Sequence, residues 1–183
     1  DLLDRTHNNF PITHVLVEEQ VEIISEWYLG LIIDSRHRTP ILLLSTAGGS
    51  GIEDRDDVNI IRHEVDILRG IYDFEARNLC VRAGISGKYM NALSRVIQKF
   101  YAVARRYEAR TAEINPLALT ADGQILALDA RITVDDYAVS RHPELGIEIA
   151  REFDHPPTPL ERIAWQVEKD DYRGTFYFIQ MQT

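Results

Sequence analysis

Glu113, Asn115 and Asp129 are the residues whose types and spacing best suit chemistry. They lie in Glu113–Arg131, EINPLALTADGQILALDAR, which reads as a β-hairpin. Two apolar runs, Ile114–Leu119 and Ile125–Ala130, flank Ala121-Asp122-Gly123-Gln124. Asp-Gly supplies the positive φ angles that a tight hairpin needs. Strand side chains alternate, so Glu113 and Asn115 share a face. Folding about Asp122 sets Asp129 nearly opposite Asn115 on that face. An amide oxygen beside a carboxylate on a rigid sheet suits a hard divalent cation such as Mg2+. That ion keeps several waters and takes one or two protein oxygens plus phosphate oxygens. Simple solvation at the open end of a hairpin is the competing explanation, and Asn-Pro is a common strand-end dipeptide.

Thr46-Ala47-Gly48-Gly49-Ser50-Gly51 is the second candidate. Glycines let backbone amides approach a phosphate closely. The loop is not a P-loop, because the closing Gly-Lys-Ser/Thr is absent, and it is not a GxGxxG fingerprint. A mobile loop after a strand is the commoner explanation. His142 precedes a proline in a polar segment. It could serve as an acid/base group or a ligand, although a structural role is commoner for such a residue.

These residues need elements to hold them. Val15-Leu16-Val17 reads as a buried strand, followed by a carboxylate-rich connection, Glu18 to Glu26. Trp27–Asp34 and Pro40–Ser45 read as a hairpin across the polar turn Ser35-Arg36-His37-Arg38. Their near-continuous apolar runs predict cover on both faces. Arg62–Ile67 reads as a short edge strand. Asp73–Ala83 reads as a helix with Phe74, Leu79 and Cys80 in phase, ended by Gly84. Ser86 is placed to cap a longer helix, Lys88–Arg106. Tyr89, Leu93, Val96, Ile97, Phe100 and Val103 form its apolar stripe, and its basic residues gather at the C-terminal end, where they complement the dipole.

After the 113–131 hairpin comes Asp135–Glu144, then the proline-rich stretch Asp154–Pro159, which disfavours any helix or central strand. Thr158 is placed to cap a helix from about Leu160 to Glu168, and Thr175–Met181 reads as a buried strand. A domain boundary is expected near 152–159.

The whole composition bounds the function. The chain has 183 residues, 45% hydrophobic and 27% charged, which suits a globular chain with a sizeable core. Its net charge of -9 argues against nucleic acid as a partner. It does not argue against a nucleotide, whose charge bound metal and local donors can offset. Cys80 is the only cysteine, which fits a reducing compartment, cytoplasmic or mitochondrial matrix. No apolar run approaches the ~20 residues of a membrane span, so no membrane role is expected. The chain opens at Asp1 and closes straight after Phe176–Met181, so both ends read as cut.

Several ordered motifs resemble one family. Val15-Leu16-Val17-Glu18, then Glu26-Trp27-Tyr28-Leu29-Gly30, is similar to the hinge strand and "E-x-Y-L-G" of succinyl-CoA synthetase β subunits. Ser45-Thr46-Ala47-Gly48-Gly49 is similar to their "S-T-E-G-G". Glu113-Ile114-Asn115-Pro116-Leu117 is identical to "E-I-N-P-L". Leu128-Asp129-Ala130-Arg131, Asp135-Asp136 and Arg141-His142-Pro143-Glu144-Leu145 follow the family in order. More broadly the chain resembles the ATP-grasp half of nucleoside-diphosphate-forming acyl-CoA ligases.

The resemblance implies an α+β fold: the C-terminal lobe of an ATP-grasp domain (1–151), a linker (152–159), and the beginning of a flavodoxin-like α/β CoA-ligase domain (160–183). It implies Mg2+ held by Asn115 and Asp129, and ATP/ADP or GTP/GDP beside Glu18 and Val21, with Glu26 accepting from the ribose hydroxyls. It implies an α-subunit partner carrying the phosphorylated histidine, with CoA and a carboxylic acid as substrates of the whole enzyme. No catalytic residue is assigned here, and none of the six histidines is that residue. The chain alone would hold half of a nucleotide cleft. Arg131 replaces the family's lysine, Tyr137 its asparagine and Ser140 its phenylalanine, while Met181 stands near where the family has a substrate-proximal asparagine. A non-catalytic nucleotide-binding or assembly module is the alternative, as is the same chemistry on malate, citrate or acetate.

Overall fold

A strand buried along its middle needs neighbours on both edges to pair its amides and carbonyls. The computed structural model, which describes residues 2–7, 10–49, 59–147 and 158–170, supplies them for the strand that follows the carboxylate-rich stretch. The chain divides into two units, Gln20–Ile149 and Asp1–Glu19 with Ala150–Thr183.

In the second of these, β1 (Thr6–His7) pairs antiparallel with β2 (Phe10–Pro11), and α4 spans Pro159–Asp170. Thr158 caps α4 as expected. Its Oγ1 accepts from Glu161 N–H at 3.3 Å while Glu161 Oε2 accepts from Thr158 N–H at 2.7 Å, a capping box. Val15, Leu16 and Val17 do not form the expected strand. They lie outside any described strand and are 44%, 84% and 88% exposed. An apolar run becomes a buried strand only where a sheet edge accepts its backbone, and none of the described strands pairs with this one. The expected strand Thr175–Met181 and most of the proline linker lie outside the described residues.

The larger unit is a sheet in the order β5-β4-β3-β6-β7, with β8 also on β6. The strands are β3 (Ile23–Asp34), β4 (Thr39–Ser45), β5 (Ile61–Glu64), β6 (Ala109–Thr120), β7 (Ile125–Ala127) and β8 (Ala130–Val134). Every pairing is antiparallel. Strand β3 starts four residues earlier than the apolar pattern suggests, so Glu26 stands on a strand, not in a connection. The β3–β4 hairpin turns through Ser35–Arg38, where Asp34 Oδ1 accepts from Arg36 N–H at 2.8 Å. Ile41, Leu42, Leu43 and Leu44 are all buried, as their unbroken apolar run requires.

Two helices cover one face. α1 (Asp73–Arg82) ends at Gly84, whose φ of 79° suits only glycine cheaply. α2 (Gly87–Arg106) follows, with Ser86 at its cap position but no side-chain hydrogen bond there. Leu93, Ile97, Phe100, Tyr101 and Ala104 of α2 bury against Leu29, Leu31, Leu42, Leu44 and Ile114 of the sheet. Phe74 does not join them: it is 65% exposed and stacks on Tyr72 instead. Ala76 takes the inward position beside Leu79 and Cys80.

After β8, Asp135 caps the short helix α3 (Asp136–Val139) by accepting from Tyr137 N–H at 2.9 Å. Arg141 then donates through Nε to Glu108 Oε1 at 2.9 Å, and His142 Nε2 lies 3.2 Å from the same oxygen. His142 also meets the Tyr107 ring edge-on. The histidine is thus bound into a clasp on the C-terminal end of α2, the structural role that its position before a proline suggests.

Candidate functional site

The helix-covered face of β6 shows where the site must open. Ala112 and Ile114 point into the core, and so do Leu117 and Leu119. Strict alternation cannot place both pairs on one side, because Ile114 and Leu117 are three residues apart. The register with β3 slips by one at this point, from Trp27↔Leu117 to Leu29↔Ile114. Asn115 and Pro116 therefore form a β-bulge opposite Tyr28. Bulges re-aim side chains, and a proline is tolerated at one because it has no amide to pair. The bulge lets the core pattern resume while Asn115 faces away from the helices.

On the other edge of β6 no slip occurs between Ile114 and Leu117; the pairing with β8 slips only further along, between Ala109 and Thr111. Ile114 pairs with Ala130 and Leu117 with Ala127. Asn115 N–H donates to Asp129 O at 3.1 Å, so the two residues stand directly opposite each other, as the hairpin reading requires. Asp129 is exposed and Asn115 half-buried. The tip turns at Asp122-Gly123 as expected, with the positive φ (84°) at Gly123 alone, and Asp122 Oδ1 accepts from Thr120 Oγ1. Glu113 shares the site face and sits across from Arg131 on β8 and Gly30 on β3.

The glycine loop closes over this face. Gly49 N–H donates to Asn115 Oδ1 at 2.7 Å, and Asn115 Nδ2 donates to Gly49 O at 3.4 Å. A Cβ on Gly48 would lie 2.5 Å from Trp27 O, and one on Gly49 (φ 89°) would lie 2.6 Å from Glu26 Oε2. The glycines thus let a backbone strap lie directly on β3 at Glu26–Trp27. Ala47 N–H is held by Ser45 Oγ at 3.1 Å. Two of the loop's amides, those of Ala47 and Gly49, are therefore already paired within the protein, and the described part of the loop acts as a strap on the sheet. Sequence reasoning missed this role; the paired glycines were its only local signal.

The structure brings Glu26, Asn115 and Asp129 to one end of the sheet. Val21 is half-buried just before β3, where Glu22 O accepts from Ala121 N–H at 3.0 Å. Glu18 is exposed and belongs to the other unit. Among the described residues no cluster of three or more His, Cys, Asp or Glu could hold a metal by itself. An amide oxygen with one carboxylate suits an ion that takes few protein ligands, and the donor set fits Mg2+.

A family model described as an ATP-grasp domain matches residues 4–119. The chain belongs to the ATP-grasp family. Its mixed α+β architecture, with an antiparallel sheet, accords with that membership. Among curated proteins, the ATP-grasp chain is 39% identical to "Succinate--CoA ligase [ADP-forming] subunit beta 1" of Archaeoglobus fulgidus over 88% of its own length and 42% of the relative's. It is 40% identical to "Succinate--CoA ligase [GDP-forming] subunit beta" of Thermus thermophilus over 79% and 39%. Against the ADP-forming β subunit of Bacteroides thetaiotaomicron it is 32% identical over 99% and 46%. The chain thus spans less than half the length of each of these relatives. Among solved structures, ATP citrate lyase from Methanothrix soehngenii, in complex with citrate and coenzyme A, superposes with a TM-score of 0.62 at 20% identity, over 84% of this chain and 35% of that one. That likeness concerns the fold alone.

Proposed function

We propose that this chain is the Mg–nucleotide-holding part of an NDP-forming acid–CoA ligase β chain, which converts acid, CoA and NTP to acyl-CoA, NDP and phosphate together with an α partner. The observation that supports it most is the meeting of Asn115, Asp129 and Glu26 at one strapped end of the sheet. The β-subunit names of the curated relatives support the reaction class. In this reading residues 1–151 are the C-terminal part of the ATP-grasp domain, 152–159 the linker and 160–183 the start of the CoA-ligase domain.

Each residue has a stated task. Asn115 Oδ1 and the Asp129 carboxylate would hold Mg2+. The bound ion would neutralise phosphate oxygens of the nucleotide. Glu26 accepts from the ribose hydroxyls. Glu18 and Val21 border the base, the latter through its backbone. The phosphorylated histidine belongs to the α partner.

The test is a nucleotide titration of the full-length protein with and without Mg2+. Asp129→Asn removes the charge while keeping the shape. It is expected to weaken Mg–ADP or Mg–GDP binding by about tenfold or more, equivalent to ~1.4 kcal/mol, with an unchanged melting temperature. Equal affinity in the variant would overturn the metal assignment.

A further inference from the structure

The geometry points to Gly48 and Gly49 as positioning residues for Asn115: the strap sets which atom of the carboxamide faces the metal side. This rests on the metal reading above. An asparagine side chain can turn its oxygen or its nitrogen toward a given point, and only the oxygen binds a cation. Here one backbone residue addresses both ends. Gly49 N–H reads the oxygen at 2.7 Å and Gly49 O reads the nitrogen at 3.4 Å. A flipped amide would set N–H against N–H and oxygen against oxygen. The Oδ1 that accepts from Gly49 keeps a second lone pair for a ligand.

The strap can do this only because it lies so close. Gly48 rests against the β3 backbone, where a Cβ would come within 2.5 Å of Trp27 O and 2.7 Å of Trp27 C. Backbone cannot swing aside as a side-chain tip can. Ser45 Oγ anchors the near end through Ala47 N–H, and Ser45 is itself 1% exposed. The strap also runs past Glu26, whose Oε2 lies 2.6 Å from where a Gly49 Cβ would stand.

The test uses the full-length protein and reads nucleotide affinity with Mg2+ and with EDTA. The ratio of the two is the metal-dependent factor. Partners that orient a metal ligand are typically worth about 10–100-fold in metal affinity. Gly48→Ala is expected to cut the metal-dependent factor by about tenfold while leaving the EDTA affinity within about twofold. A merely structural role would lower both affinities together. Ser45→Ala, which leaves glycines and ligands intact, decides the question if Gly48→Ala does not fold; it is expected to lower the same factor by about threefold. Faster hydrogen exchange at the Gly49 amide is expected in both variants. If both variants keep the wild-type factor while Asn115→Ala loses it, the strap inference is overturned and the metal reading stands. If Asn115→Ala also keeps it, the metal reading itself is overturned.

Discussion

At the scale of single residues, the site depends on which oxygens are left free to act. Glu26 is an exposed carboxylate on β3, with the strap along one side of it. A carboxylate accepts hydrogen bonds and cannot donate them when ionised. Its proposed partners, two ribose hydroxyls, are donors. Glu26→Ala is therefore expected to weaken binding of ribonucleotides by several-fold, and to leave 2′,3′-dideoxy analogues little changed. Competition titrations with both ligands check it; equal losses would remove the ribose role. Asn115 shows the same economy of atoms. One N–H of its amide and one lone pair of its oxygen are spent on Gly49, which leaves one acceptor direction for a cation.

At the scale of elements, α2 packs its apolar stripe against the sheet that carries the site. Leu93 and Ile97 are fully buried at its centre. Leu93→Ala is expected to destabilise the fold by about 2–5 kcal/mol, the usual cost of a buried leucine truncation and its cavity, as read by chemical denaturation. Strand β5 adds a pH dependence. His63 pairs across from Leu42 and turns its ring inward, where Nε2 is buried with no hydrogen-bond partner among the described residues. Burial pushes its imidazole below the ordinary value of 6.5; nearby Arg82 acts in the same direction, and Glu75 and Glu64 oppose it. The fold thus favours the neutral ring. As pH falls below 6.5 the unfolded chain takes up the proton first, so stability is lost through the lower folded-state value. His37 has the opposite sign, because Asp34 raises it, but that pair is solvent-exposed and screened. His63→Leu is expected to flatten the stability profile between about pH 5 and 7. A profile identical to wild type would show that β5 opens before His63 titrates.

At the scale of the whole molecule, the described ATP-grasp sheet offers one face to the helices and the strapped end to a ligand. No described helix is long and apolar enough to cross a membrane. The proposed reaction needs a histidine from an α partner, so the full-length protein mixed with such a subunit is expected to show CoA- and acid-dependent nucleotide turnover. Neither subunit alone should do so. Nucleotide binding without any turnover in the mixture would favour the alternative of a binding or assembly module.

The sequence by itself determined what short-range geometry controls. Asp-Gly at a turn with matched apolar runs sets a register, and register alone places Asp129 opposite Asn115. The 3.6-residue apolar period of α2 and the unbroken run of β4 likewise follow from local pattern and burial. Motif order within the chain was enough to point to the ATP-grasp family. Tertiary structure decided the rest. Gly49 and Asn115 are 66 residues apart, and no local pattern states that a glycine loop will lie across β3 and bind that amide. The bulge at Asn115–Pro116 is visible only against the phase of β3, because a slip has meaning only between two strands. Arg141 and His142 find Glu108 across more than thirty residues. Val15–Val17 failed as a strand for the same reason: an apolar run shows what a segment can bury, while the neighbour that would bury it is chosen by the fold.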